Sequence, residues 1–230
     1  MSLESQTTPV ASIEALLLAP DAGNFQTELR QQLEFSLDPN GIVGDKRHNG
    51  NSTKADVRTK RVYKRGGEVL NRQSVSIVDA SDLDYIAARL GIDEEVVYEN
   101  MAVDLRVGLT APQARRLFLA SCMGANVLLG EYKGTEETTE FRNLSRGLDL
   151  GPFDPENDNF TDATVLITRP NAPCVGPGKK IRDNYPGSLP DTTPRDFVDI
   201  AEGRRGFVGM VAKPGSMAVG ELVQFVLFGD

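Results

Sequence analysis

Apolar residues along this chain gather in short runs rather than in long helical stripes. Six runs stand out: Ser12 to Ala19, Ser74 to Val78, Asn126 to Leu129, Thr164 to Thr168, Phe207 to Ala212 and Glu221 to Phe228. Their length and β-branched content predict strands, and no helix-sized segment separates each successive pair as regular βαβ winding requires. The expected fold is mainly β with a few helices, a barrel or a sandwich. One helix is clearly signalled. Asp79 or Ser81 can cap it, Asp82 and Asp84 sit in its first turn, Leu83, Ile86, Ala87 and Leu90 form one apolar stripe, and Gly91 ends it. A second, shorter helix is expected from Thr193 through Ala201, with Pro194 at its first position and Phe197, Ile200 and Ala201 on one side.

Two polar stretches interrupt this pattern, Lys133 to Asp162 and Val175 to Asp191, both rich in Gly, Pro, Asn, Asp and Thr. Without apolar periodicity they are read as surface or functional loops. No repeat or linker divides the chain. Residues 1–9 are read as a flexible N-terminus or an expression remnant, and residues 10–230 as a single domain carrying an insertion at about 133–162.

Composition narrows the chemistry. The 230 residues include no tryptophan, one histidine and two cysteines. A zinc site needs three or four His/Cys ligands, and His48, Cys122 and Cys174 could only just reach three, while a disulfide framework is excluded. A net charge of −8 argues against wholesale affinity for nucleic acid or anionic membrane. No run approaches the roughly 20 apolar residues of a membrane span, and the start of the sequence lacks the features of a signal peptide. The expected compartment is the cytoplasm.

Two loops could carry chemistry. In Asn171-Ala-Pro-Cys174-Val-Gly-Pro-Gly178, prolines and glycines flank a cysteine just after an apolar run, with Lys179, Lys180 and Arg182 close behind. Positive charge and loop amides would stabilise a thiolate, the form that attacks sulfur or ligates a soft metal. Packing as a small hydrophobe is the equal alternative on local sequence. Cys122 lacks cationic neighbours and reads as buried filling. The second loop, Gly41-Ile-Val-Gly-Asp-Lys-Arg-His-Asn-Gly50, holds the sole histidine among glycines that allow close approach of an anion. It has no Gly-Lys-Ser/Thr ending and so is not a nucleotide-triphosphatase loop; a hairpin turn with a solvated histidine is its plain alternative.

From Lys46 to Arg65 there are eight basic residues against one acid, Asp56, a local reversal suited to an anionic ligand or RNA. Only Tyr63 among them could stack, which disfavours single-stranded nucleic acid. Arg72 and Arg204-Arg205-Gly206 add guanidiniums beside strands, fit for phosphate or for an internal carboxylate. A single histidine and the absence of a Gly-x-Ser-x-Gly elbow leave no Ser/His/Asp triad.

Several segments, in order, resemble the MOSC domain, the C-terminal domain of molybdenum cofactor sulfurase. They are Ile13 to Gly23, Gly41 to Asp45 leading to His48-Asn-Gly50, Asn71-Arg-Gln-Ser-Val-Ser-Ile-Val-Asp79, Glu99-Asn100-Met-Ala-Val, Asn171-Ala-Pro-Cys174, Arg204-Arg205-Gly206 and Pro214 to Val223. The resemblance spans roughly residues 10 to 228 and leaves no room within this sequence for a fused sulfurase or ferredoxin domain. Asp45 and His48 stand about one residue further apart than in many members, and Arg-Gln-Ser-Val-Ser has one residue more than the usual Arg-Gln-Val-Ser.

The resemblance implies a β-barrel of the MOSC type and a role in molybdenum cofactor or sulfur handling. It implies that Cys174 is the catalytic residue, carrying a persulfide received from a pyridoxal-phosphate-dependent cysteine desulfurase, or ligating molybdenum as in amidoxime-reducing relatives. Arg72, Asn100, Asn171, Arg204, Arg205 and His48 are then the expected residues around the molybdenum cofactor (molybdopterin), with the basic residues suited to its phosphate. A desulfurase or a molybdoenzyme is the expected partner. Two other classes compete: a molybdenum-dependent reductase of N-hydroxylated compounds served by separate electron-transfer proteins, and an anion- or RNA-binding module built on residues 46–65.

Overall fold

The computed structural model describes residues 10–19, 30–45, 47–48, 52–54, 68–101, 103–110, 113–114, 126–131 and 163–228. The expectations for Cys122, for the insertion at 133–162 and for most of the basic segment 46–65 lie outside these residues. In chain order the elements are β1 (Val10–Leu18), β2 (Arg30–Gln32), β3 (Glu34–Asp38), β4 (Gly41–Ile42), β5 (Ser52–Lys54), β6 (Glu68–Leu70), β7 (Val75–Asp79), α1 (Ala80–Leu90), α2 (Glu94–Met101) and β8 (Leu105–Gly108). They continue with β9 (Asn126–Glu131), β10 (Thr164–Pro170), α3 (Val175–Asn184), α4 (Thr193–Ile200), β11 (Phe207–Lys213), β12 (Gly215–Ala218) and β13 (Leu222–Phe228). All six apolar runs are strands, and the mainly β class with a few helices holds.

Eight strands form one sheet in the order β13-β9-β10-β11-β7-β8-β1-β2. Its ladders are antiparallel except β7 with β8, which run parallel because α1 and α2 carry the chain back between them. The first three residues of β1 also pair with β13, Val10↔Gln224 through Ser12↔Leu222, and β2 lies beyond β1 at the sheet's edge. Strands β12, β3 and β4 make a second, three-stranded sheet.

Alternation along the strands sorts the apolar side chains into two cores. Ile13, Leu16, Ile77, Leu105, Val165, Phe207 and Phe225 pack with Phe35 and Leu37 of the smaller sheet. Val78 and Leu17 face the other way and join Leu83, Ile86, Val97, Met101, Ile181 and Phe197 from the helices. An irregularity in the β1–β8 register between Ile13 and Ala15 resets the alternation, so that Ile13 and Leu16 share one core while Ala15 and Leu17 share the other.

Helix α1 follows its sequence signals: Asp79 accepts from the N–H of Ser81 at 2.9 Å, and Gly91 closes it at φ 70°. Asp79 also accepts from the N–H of Leu109 at 2.6 Å, so one carboxylate fixes both the helix start and the exit from β8. Helix α4 forms as expected, ending one residue short of Ala201. The Val175–Asp191 stretch corrects the loop reading, because its first ten residues are α3. Its pattern hides the helix: Ile181 is the only large apolar side chain it buries, and Gly176, Pro177 and Gly178 crowd its first turn. Those residues have tertiary reasons. A proline there gives up an N–H that has no intrahelical acceptor, and a Cβ on Gly178 would stand 2.7 Å from Cβ of Phe197 in α4.

Gly206, at φ 70°, enters β11 so close to β7 that a Cβ would collide with the carbonyl oxygen of Ile77. Gly91 has the same φ with open space around it. Gly91→Ala is therefore expected to cost about 1 kcal/mol, from backbone strain alone. Gly206→Ala should cost about 2–4 kcal/mol, because overpacking adds to strain. Urea denaturation midpoints of the two variants check this ranking.

Candidate functional site

Strands β10 and β11 are separated in sequence by α3 and α4, yet they pair antiparallel up to Pro170↔Phe207. The chain leaving β10 and the chain entering β11 therefore lie at the same end of the sheet. The N–H of Asn171 carries the contact one step further, donating to the carbonyl of Gly206 at 2.9 Å. Cys174 comes three residues later. It is the N-cap of α3, with extended backbone at φ −146° and ψ 164°, and its side chain makes no capping hydrogen bond. The residue is half-buried. Gly176 leaves space beside it, since a Cβ there would stand 3.8 Å from Sγ.

Arg205 reaches this loop from the start of β11. Its Nη1 donates to the carbonyl of Ala172 at 2.7 Å and lies 3.7 Å from Cys174 Sγ, and its Nη2 reaches the carbonyl of Met101 at 3.5 Å. The residue is only 8% exposed. Two positive features therefore face one sulfur: the partial charge of the α3 N-terminus and a guanidinium poorly screened by water. A thiolate here would face both, and thiolate is the form that attacks electrophilic sulfur or binds a soft metal.

A MOSC domain model matches residues 45–224, most of the chain. The chain belongs to the MOSC domain family. It is 28% identical over 214 residues, covering 93% of this chain and 89% of the relative, to a Bacillus subtilis (strain 168) protein described as "Putative metal-sulfur cluster biosynthesis proteins YuaD". The crystal structure of the YuaD protein from Bacillus subtilis superposes with a TM-score of 0.70 at 23% identity, over 97% of this chain and 99% of that one, a likeness of fold.

Within this MOSC domain, Asn171, Cys174 and Arg205 share one end of the β10–β11 pair. The other candidates are held elsewhere. Arg204 turns to α1, where Nη1 meets Asp82 at 2.9 Å and the guanidinium stacks 3.9 Å above the ring of Tyr85. The amide of Asn100 is buried, donates to Val96 O at 2.7 Å and accepts from Asn184 Nδ2 at 2.6 Å, which ties α2 to α3. His48 pairs with Asp38 through Nε2 at 2.9 Å. Burial pushes the Asp38 carboxyl up, but the His48 contact and the Asn40 N–H outweigh it and hold it below its usual value. Arg72 is exposed, and its carbonyl accepts from Thr168 Oγ1 at 2.7 Å, which sets its backbone beside β10. Among the described residues, no group of three or more His, Cys, Asp and Glu side chains could hold a metal ion. A cleft of about 380 Å³ opens between α1 and α4, lined by Arg89, Leu90, Pro190, Thr193 and Asp196, and its lining includes none of the candidates.

A cluster that sequence reasoning missed lies under the Gly41–His48 loop. Arg47 donates through Nε to Asp45 at 3.1 Å, through Nη1 to Ser76 Oγ at 3.1 Å and through Nη2 to Asp104. Asp45 accepts from the N–H of Ala19 at 3.1 Å, and Asp104 accepts from both the N–H and the hydroxyl of Ser76. The motif's aspartate thus works as a strut between the loop and the sheet. The available signal was a serine, Ser76, in a strand buried at every position; nothing in the sequence links it to Asp104, which is 28 residues away.

Two buried carboxylates share one guanidinium here. Burial drives the Asp104 carboxyl up to about 6, and the neighbouring Asp45 charge adds to this, against the pull of Arg47. The folded state thus binds this proton more tightly than the unfolded chain does. The residue's contribution to stability is fully present below its ordinary value of 3.8 and is lost as pH rises through about 6. In urea titrations across that window, the parent should show this loss and Asp104→Asn should lack it, even though the variant is less stable overall from the broken Arg47 pair.

Proposed function

We propose that this MOSC protein is a sulfur carrier in metal–sulfur cofactor chemistry, with Cys174 holding the transferred sulfur as a persulfide. The observation that carries this reading is the half-buried cysteine at the N-terminus of α3 with Arg205 Nη1 at 3.7 Å from its sulfur. The relative's description, metal-sulfur cluster biosynthesis, supports the same general chemistry. The step is a thiolate exchange. Cys174 attacks the outer sulfur of a donor persulfide, a new S–S bond forms at Cys174, the donor's S–S bond breaks and the electron pair leaves with the donor thiolate. No oxidant is consumed. A pyridoxal-phosphate-dependent cysteine desulfurase is the donor class and a molybdoenzyme the acceptor class. The setting we propose is the cytoplasm; no helix among the described residues is long and apolar enough to cross a membrane. The three-pair ladder between β1 and β13 supports the barrel form of the family for the large sheet.

The molybdenum cofactor is tested by the donors at hand. Cys174 fits as one soft thiolate ligand, with Asn171 in the same loop. Bound there, the cofactor would supply two-electron redox chemistry. The expected arginine pair does not converge on it, because Arg204 is held by Asp82 and Tyr85. Sulfur carriage is therefore the reading with more support than reduction.

Incubation with a cysteine desulfurase and cysteine, followed by peptide-resolved mass spectrometry, tests the reading. One added sulfur atom is expected on Cys174 in the parent and in Cys122→Ala, and none on Cys174→Ala, with metal analysis of the same samples run alongside. Equal, empty results for parent and Cys174→Ala sink the proposal.

A further inference from the structure

Two consecutive arginines precede β11, and the fold gives them opposite tasks. Arg204 is spent on α1, through Asp82 and the face of Tyr85. Arg205 is buried and spans three groups from two segments far apart in sequence: the carbonyls of Ala172 and Met101, and the sulfur of Cys174. Its backbone has little freedom. Gly206 is pressed against Ile77 and bonded to Asn171, so the position from which the guanidinium projects is set by the β7–β11 and β10–β11 contacts before any ligand arrives.

We infer that Arg205 is the positioning residue of the cysteine site, fixing the Ala172–Cys174 loop against the end of α2 and holding a positive charge at the sulfur, rather than a residue that grips a cofactor phosphate. This rests on Cys174 being the reactive sulfur. Both Nη atoms already donate to backbone carbonyls, Nη1 to Ala172 and Nη2 to Met101, so a phosphate drawn to them would compete with the contacts that hold the loop presenting the thiol. The planar fork explains why arginine stands here: its nitrogens lie in fixed directions and serve separate acceptors together, whereas lysine offers one nitrogen on a flexible stem. Burial strengthens the effect, because a charge at 3.7 Å from Sγ and out of bulk water is weakly screened by salt.

The test is alkylation of Cys174 by iodoacetamide, followed peptide by peptide in the full-length protein. With Arg205→Gln the rate at about pH 7 should fall roughly tenfold, and at about pH 10, where thiols ionise without help, parent and variant should converge. Arg205→Lys should recover part of the rate, and Arg204→Gln should alkylate like the parent. An unchanged rate at neutral pH overturns the inference. So does a deficit of equal size at both pH values, which would mean lost access rather than lost charge. Should Arg205→Gln not fold, the parent alone suffices: alkylating Cys174 should shift the side-chain nitrogen resonance of Arg205 and leave that of Arg204 in place, and the absence of that shift sinks the idea. Persulfide loading is scored separately. A parent that never loads sulfur but shows the Arg205 effect refutes the carrier reading alone, and a parent that loads sulfur without the effect refutes the positioning role alone.

Discussion

The antiparallel ladder between β10 and β11 is the contact on which the site depends. It sits inside the large sheet, joins strands separated by two helices, and runs from Thr164↔Lys213 to Pro170↔Phe207. Because the strands run in opposite directions, the end of one lies beside the start of the other. Cys174 follows β10 and Arg205 precedes β11, so the ladder alone brings a thiol and a cation from 31 residues apart to one corner. Loop closure of that length costs entropy that grows only slowly with size, and the sheet and helix cores on either side supply the burial that offsets it.

The two half-buried or buried arginines do related work at different places. Arg47 ties the Gly41–His48 loop to β7 and the segment before β8 through Asp45, Ser76 and Asp104. Arg205 ties the cysteine loop to the end of α2. Met101 ends α2 and Asp104 immediately precedes β8, so a guanidinium holds each side of the short connection between them. Such buried polar contacts add less net stability than their gross attraction implies, because desolvation opposes them. What they provide here is placement: each fixes a loop that apolar packing would leave free.

The site residues divided along the same lines. Cys174 was legible as a candidate in the segment Asn171-Ala-Pro-Cys174 because proline, glycine and cations are local signals, and Arg205 was legible as a guanidinium beside a strand. Its partners were not. Arg204 and Arg205 are identical in type and adjacent, and only the twist into β11 sends one to Asp82 and Tyr85 and the other to the cysteine loop. Asn100, placed by its motif among cofactor residues, is engaged in joining two helices, neither of which the sequence pattern revealed. A polar residue's partner is set by distances between segments, and side-chain type carries no record of them.

By itself the amino-acid sequence determined the six main strands, α1 and α4, the MOSC family and the cysteine to watch. The elements rest on local physics, apolar runs, caps and turn residues, and the family on the order of its motifs. Short strands such as β2, β4 and β12, and helix α3 with its single deeply buried large side chain, carry too little local pattern to announce themselves and form because neighbours complete them. Only the tertiary structure decided that Cys174 stands at a helix N-terminus, that one arginine of a pair attends it, and that Asp45 braces a loop. Each depends on strand register, and register is a property of the assembled sheets.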